Sequence, residues 1–290
     1  MRATIAPGSY WFTGLLRARF VALAAIGASG LLGISVLAVA GAHQRSPRDI
    51  SGFWMQYPFV FQFDPTLKFG EPQRVVLQPD YEARYQAYVA AVAKGEAEGK
   101  PVANASSQCL PSGLPASMGG FAPLEFVITK KTLYAFPEGW DPPRRIFMAR
   151  SLPPWEDVEP SYEGYSVGRW EGNTLVVDTE AVKIRTTIDG VPHSEAMKVH
   201  ERIRLLDDDT LEDVFTITDP KAFKAPWVIT KHYKDYETQA IGDANKPGQD
   251  LEHPKGKGGE LVPEEVVCVE NNRNTRSPSG TISDGVAPRD

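Results

Sequence analysis

The sequence predicts a mainly β protein: an antiparallel up-and-down barrel with one amphipathic helix on its amino-terminal side. Three observations carry this. Short runs rich in β-branched and aromatic residues recur from Leu124 onward, at about 124–129, 132–136, 144–149, 163–170, 173–180, 194–205, 210–217 and 226–236, with turn signals between them. Many of the connections are too short for a crossover, which favours antiparallel neighbours. Pro 24 and Gly 25 supply many turns and suit short strands better than long helices. With a first strand opening at Ile50 the count is roughly nine, enough to close a barrel of lipocalin-like character.

The elements follow in order. Arg17 and Arg19 precede an uncharged apolar run from Phe20 to Ala42 that ends in small residues. This is an export signal, cleaved near Ala40 or Ala42, or else an uncleaved signal anchor. Either way the rest of the chain is expected outside the cytoplasm, in the periplasm or secreted. Residues 43–49 read as a polar linker, 50–272 as one domain and 273–290 as a disordered tail. Within the domain, Pro79 opens a helix to about Ala97, with Asp80 as cap or first-turn acid. Tyr81, Tyr85, Tyr88 and Val92 form its apolar stripe.

Composition excludes several functions. The first 42 residues hold three arginines and no acid, so the remainder carries 28 basic and 37 acidic groups, a net charge of −9. That balance argues against nucleic acid or an anionic membrane surface as partner. In an oxidising compartment Cys109 and Cys268 read as a disulfide; the alternative is two buried thiols. So long a loop would contribute about 4–5 kcal/mol in the chain-entropy model.

The stretch Gly164-Tyr-Ser-Val-Gly-Arg-Trp-Glu-Gly-Asn-Thr-Leu-Val-Val-Asp-Thr179 reads as a β-hairpin turning at Gly172-Asn173. It resembles the signature G-x-S-x-G-x-W-E-G-D-T-L-V-V-D-T of a large bacterial family of exported proteins. Further pieces match: Cys109-Leu-Pro-Ser-Gly-Leu-Pro115, His193-Ser-Glu195, Glu201-Arg202, Asp219-Pro220, Pro226-Trp227 and Cys268-Val-Glu-Asn-Asn272. The resemblance spans about Ile50 to Asn272, with Asn173 departing where the family has Asp. It implies a fold more than a function, because the family brings no settled activity.

The chemistry is sought on the 193–205 segment. As a strand it places His193, Glu195, Met197, Val199, Glu201, Ile203 and Leu205 on one apolar, inward face. A buried carboxyl without a partner is pushed toward neutral pH, where it serves as general acid or base. Glu201 with His193 is the candidate transfer pair and Glu195 its neighbour; the competing reading pairs Glu201 with an arginine such as Arg169. Trp170, Arg169, Tyr165, Arg145, Tyr57 and Tyr233 are candidate ligand contacts, and core packing is the alternative for each aromatic. The string Gly164-Tyr-Ser-Val-Gly168 is followed by a strand rather than a helix, so it is not a nucleophile elbow. No Walker loop, dinucleotide fingerprint or metal motif is present, and no cofactor or metal is expected. The expectation is an exported barrel that binds a small apolar or aromatic molecule. Three versions stand: acid–base turnover of the lyase, isomerase or hydratase kind; a carrier without turnover; or an envelope protein with a packed interior.

Overall fold

The computed structural model describes residues 45–236, except 69, 120–122 and 138–140. The expected signal segment, Cys268 and with it the expected bridge to Cys109, and the expected polar tail lie outside the described residues. No described helix is long and apolar enough to cross a membrane.

Nine strands close a barrel in chain order: β1 (Gly52–Gln56), β2 (Leu124–Ile128), β3 (Thr132–Pro137), β4 (Arg144–Met148), β5 (Tyr165–Glu171), β6 (Thr174–Glu180), β7 (Lys198–Asp207), β8 (Thr210–Thr218) and β9 (Trp227–Asp235). The expectation of a purely antiparallel meander is corrected at one place. β4 and β5 run parallel, with Ile146 opposite Ser166 and Met148 opposite Gly168. Parity requires it. An odd number of strands cannot close with every neighbour antiparallel, and β1 meets β9 antiparallel, so one pair must be parallel. The segment 149–164 returns the chain along the barrel, long enough for the crossover a parallel pair demands.

Gly168 lets these two strands approach. A Cβ there would stand 2.7 Å from Ile146 Cγ2 and 2.9 Å from Met148 Sδ. Gly168→Ala is therefore expected to destabilise the protein by about 1–3 kcal/mol through overpacking, read by urea unfolding.

The two barrel ends differ. Tight hairpins at 129–131, 172–173 and 208–209 form one end. The long connections 57–123, 181–197 and 219–226 gather at the other. The helix α1 (Pro79–Glu98) packs against these connections. Its Tyr85 Oη accepts from the Gln73 amide at 2.6 Å, and Tyr88 covers Gly190, where a Cβ would meet the ring at 1.9 Å. Gln78 is the N-cap, without a side-chain bond; Asp80 and Glu82 face the helix dipole from the first turn. Gly99, at φ 67°, ends the helix in the left-handed region.

The proposed linker is tied down. Arg45 donates to Ser51 O and pairs with Asp235, while Arg48 donates to Gly172 O and lies over the Trp170 ring. Inside, Trp54, Phe126, Leu133, Ile146, Leu175, Ile203 and Phe215 build the apolar core.

Candidate functional site

Strand parity places a charged group in that core. Along β7, Val199, Glu201 and Ile203 point inward. Along β8 the inward set is Leu211, Asp213, Phe215 and Ile217; along β9 it is Trp227, Ile229, Lys231 and Tyr233. Each strand thus carries a charge-bearing side chain into a largely apolar face, and β9 carries a second, Asp235, at its end.

Glu201 does have a partner, and it is Arg144 at the start of β4 rather than Arg169. Arg144 Nη1 donates to Glu201 Oε1 at 2.8 Å and Nη2 to Oε2, a bidentate pair with both side chains at 0% exposure. Nη2 also donates to Thr179 Oγ1 at 3.0 Å and Nε to Ser166 Oγ at 3.2 Å. Burial works against the Arg144 charge, but the Glu201 carboxylate more than offsets it and holds the guanidinium above its ordinary pKa.

Around this pair sit three less satisfied groups. Neither carboxyl oxygen of Asp213 meets a hydrogen-bond partner among the described residues. Burial and the nearby Glu201 charge push its pKa well above the carboxylate range. Lys231 Nζ donates to Gln56 Oε1 at 2.9 Å and lies 4.4 Å from the Phe63 ring centre. Burial pushes its amine down to about 7. Glu163 Oε2 accepts from Ser117 Oγ at 2.7 Å while Oε1 has no partner among the described residues, and burial pushes this carboxyl up to about 7. Residues 117–119 cover the group from the loop end. Tyr233 Oη donates to Met118 O, and a Cβ on Gly119 would stand 1.8 Å from Lys231 Nζ.

The expected His193–Glu195–Glu201 constellation is not assembled. β7 begins at Lys198, not near 194. The Ser194 amide and hydroxyl are held by Asp219 at 2.5 and 2.7 Å, and Ser194 Oγ accepts from the Ala196 amide, so a turn replaces the strand. Glu195 therefore leaves the inward face, is largely exposed and pairs with Lys221. His193 is buried with both ring nitrogens engaged, Nδ1 by Ser194 O at 2.9 Å and Nε2 by Thr186 Oγ1 at 2.8 Å. A carbonyl only accepts, so Nδ1 carries the proton. Burial lowers its pKa, keeping the ring neutral.

The candidate ligand contacts separate as well. Trp170 and Arg169 line a cleft of about 260 Å³ at the hairpin end, with Ile128, Leu133, Met148 and Lys130. Tyr233 is inside, its hydroxyl spent on Met118 rather than free for a ligand. Tyr165 lies against Phe147 on the outer wall, Arg145 is exposed beside it, and Tyr57 is exposed after β1. Arg169 points outward to Asp178 and Glu171. Sequence reasoning missed Asp213, Lys231, Gln56, Glu163 and Ser117. For Asp213 and Lys231 the signal was the same period-two count that found Glu201.

Fold and site define a closed, mixed-sheet β-barrel with an ionisable interior and an open cleft at its hairpin end. Comparison with known protein families, with curated proteins and with solved structures finds no match.

Proposed function

We propose that the barrel binds a small, largely apolar molecule, aromatic or isoprenoid in character, in the cleft at its hairpin end, and that it works as an exported carrier. The cleft itself is the observation that supports this. Ile128, Leu133, Met148 and Trp170 give it an apolar lining, to which Lys130 and Arg169 add charged side chains. At about 260 Å³ it falls just below the roughly 300–1,000 Å³ of drug-sized sites, which suits a ligand of one ring or a short branched chain. Carriage is preferred to acid–base turnover by Glu201 and His193. Glu201 is held by Arg144, and both nitrogens of His193 are already bonded. The exported setting, the Cys109–Cys268 bridge, the kinship with the signature family and the lipocalin-like character belong to the same proposal.

One observation favours a second reading, a packed envelope protein: Trp54, Phe126, Leu133 and Phe215 fill the centre at 0–1% exposure. Native mass spectrometry of protein taken from its own periplasm separates the two, since a carrier brings a small molecule with it. A fluorescent apolar probe adds a titration. Trp170→Leu is expected to weaken probe binding about tenfold or more, because an aromatic anchor at a contact centre carries a large share of the energy. No co-purifying molecule, with probe binding indifferent to Trp170→Leu, supports the envelope reading instead.

A further inference from the structure

The interior contact between β1 and β9 has chemical consequences that do not depend on the cleft. Lys231 Nζ is 2.9 Å from Gln56 Oε1, with the lysine at 0% and the glutamine at 3% exposure. The two belong to the first and last strands, where Gln56 stands opposite Tyr233 in the register that closes the barrel. Water is kept from the pair. The bare Cα of Gly119 seals it, since a Cβ there would lie 1.8 Å from Nζ and 2.9 Å from Gln56 Oε1, and the Phe63 ring covers another side. Directly opposite Lys231, on β8, stands Asp213, whose carboxyl oxygens have no hydrogen-bond partner among the described residues. Gln56 Nε2 faces away, toward Val60 O at 3.4 Å.

We infer that Gln56 and Lys231 become joined by an intramolecular amide bond, with Asp213 as the proton-transfer group. The Nζ lone pair adds to Gln56 Cδ, and the carboxylic acid of Asp213 gives its proton to the developing oxyanion. The Asp213 carboxylate then takes a proton from Nζ and passes it to Nε2. As the carbonyl re-forms, the hydroxyl proton returns to the Asp213 carboxylate, the Cδ–Nε2 bond breaks and ammonia departs. One C–N bond replaces another, one ammonia leaves, Asp213 ends as it began, and no oxidant or co-reactant is needed.

The surroundings favour the reaction in three ways. A buried lysine pushed down to about 7 presents a large neutral fraction at physiological pH, and the neutral amine is the nucleophile. Burial pushes the Asp213 carboxyl well above its ordinary pKa, which favours the protonated form, the one that can donate where a carboxylate only accepts. Holding amine and amide in contact replaces a bimolecular encounter with a unimolecular one, which is the largest single advantage such a slow reaction can have. The product would fasten the barrel at its seam, making closure independent of the β1–β9 hydrogen bonds alone.

The test is peptide mapping of folded wild-type protein, with the intact mass as a companion. The expected result is a branched peptide that unites the Gln56 and Lys231 segments and is lighter than their sum by one ammonia, with both linear peptides depleted. Lys231→Met abolishes it. Asp213→Asn, shown to be folded by circular dichroism, slows its appearance about 100-fold or more, the usual scale of lost general acid–base help. Full recovery of both linear peptides from folded wild-type protein overturns the inference. So does a bond from Lys231 to Asp213, recognised by loss of water instead of ammonia. A wild-type rate in Asp213→Asn overturns the role given to Asp213.

Discussion

Arg144→Met is expected to lower the unfolding free energy by about 3–5 kcal/mol, because it strands the Glu201 carboxylate in the barrel interior. Both side chains are fully buried, so no solvent reaches the abandoned charge. The same substitution removes the donors to Thr179 and Ser166, but those hydroxyls still bond each other at 2.8 Å. For a domain of this size the loss corresponds to a fall of about 10 °C in Tm. Glu201→Leu alone should cost a similar amount by leaving the guanidinium unpaired. The double variant Arg144→Met with Glu201→Leu should recover most of the loss, since replacing a buried pair by apolar groups is often neutral. Arg145→Met is the control: the adjacent residue is exposed, and its effect should stay within about 0.5 kcal/mol. Denaturant unfolding of the wild type and the four variants decides it. If the double variant is no more stable than either single one, the pair is not the source of the loss.

The same residues show what was legible in the sequence and what was not. The strands, the helix from Pro79 and the hairpin at Gly172 follow from local chemistry: β-branched runs, a proline at a helix start, glycine at a turn. Glu201's inward orientation followed from counting by two along an apolar strand. Applied to 211–217 and 227–233, that count puts Asp213 and Lys231 inside, so the rest of the interior cluster was equally readable. Two things were not. Which arginine meets Glu201 depends on how β4 lies across the barrel from β7, and no local pattern encodes that. His193 and Glu195 were assigned to β7 by extending its alternation past Met197. The long-range bonds from Asp219 to Ser194 end the strand there, and they arise from a residue on the far side of β8 in sequence. Parity also hid a clue: about nine strands in one closed barrel already implies a parallel pair, and 149–164 was long enough to make it.

Glu163→Gln is expected to flatten the pH dependence of stability between about 4.5 and 7. In the folded protein burial raises the Glu163 carboxyl from 4.5 to about 7; the Ser117 hydroxyl and the Arg144 charge oppose the rise, and the charges of Asp141 and Glu201 assist it. A raised carboxyl pKa means that the folded state holds the proton more tightly than the unfolded one. Its contribution is therefore complete below pH 4.5 and is lost as pH climbs to about 7, by on the order of 3 kcal/mol. Glutamine keeps the shape and an acceptor for Ser117 Oγ but has no proton to release. His193, with its lowered pKa, contributes the opposite slope, since its stabilisation fades as pH falls, and Asp213 shifts in the same sense as Glu163. The wild-type minus variant difference cancels both. Urea unfolding from pH 4.5 to 8.5 should show that difference falling through zero, with the variant more stable than wild type above pH 7. Parallel curves would mean that Glu163 ionises as readily in the folded barrel as in the unfolded chain. Ser117→Ala removes the hydrogen bond from Ser117 Oγ to its carboxylate and should deepen the wild-type slope, tying the effect to the segment that seals the interior.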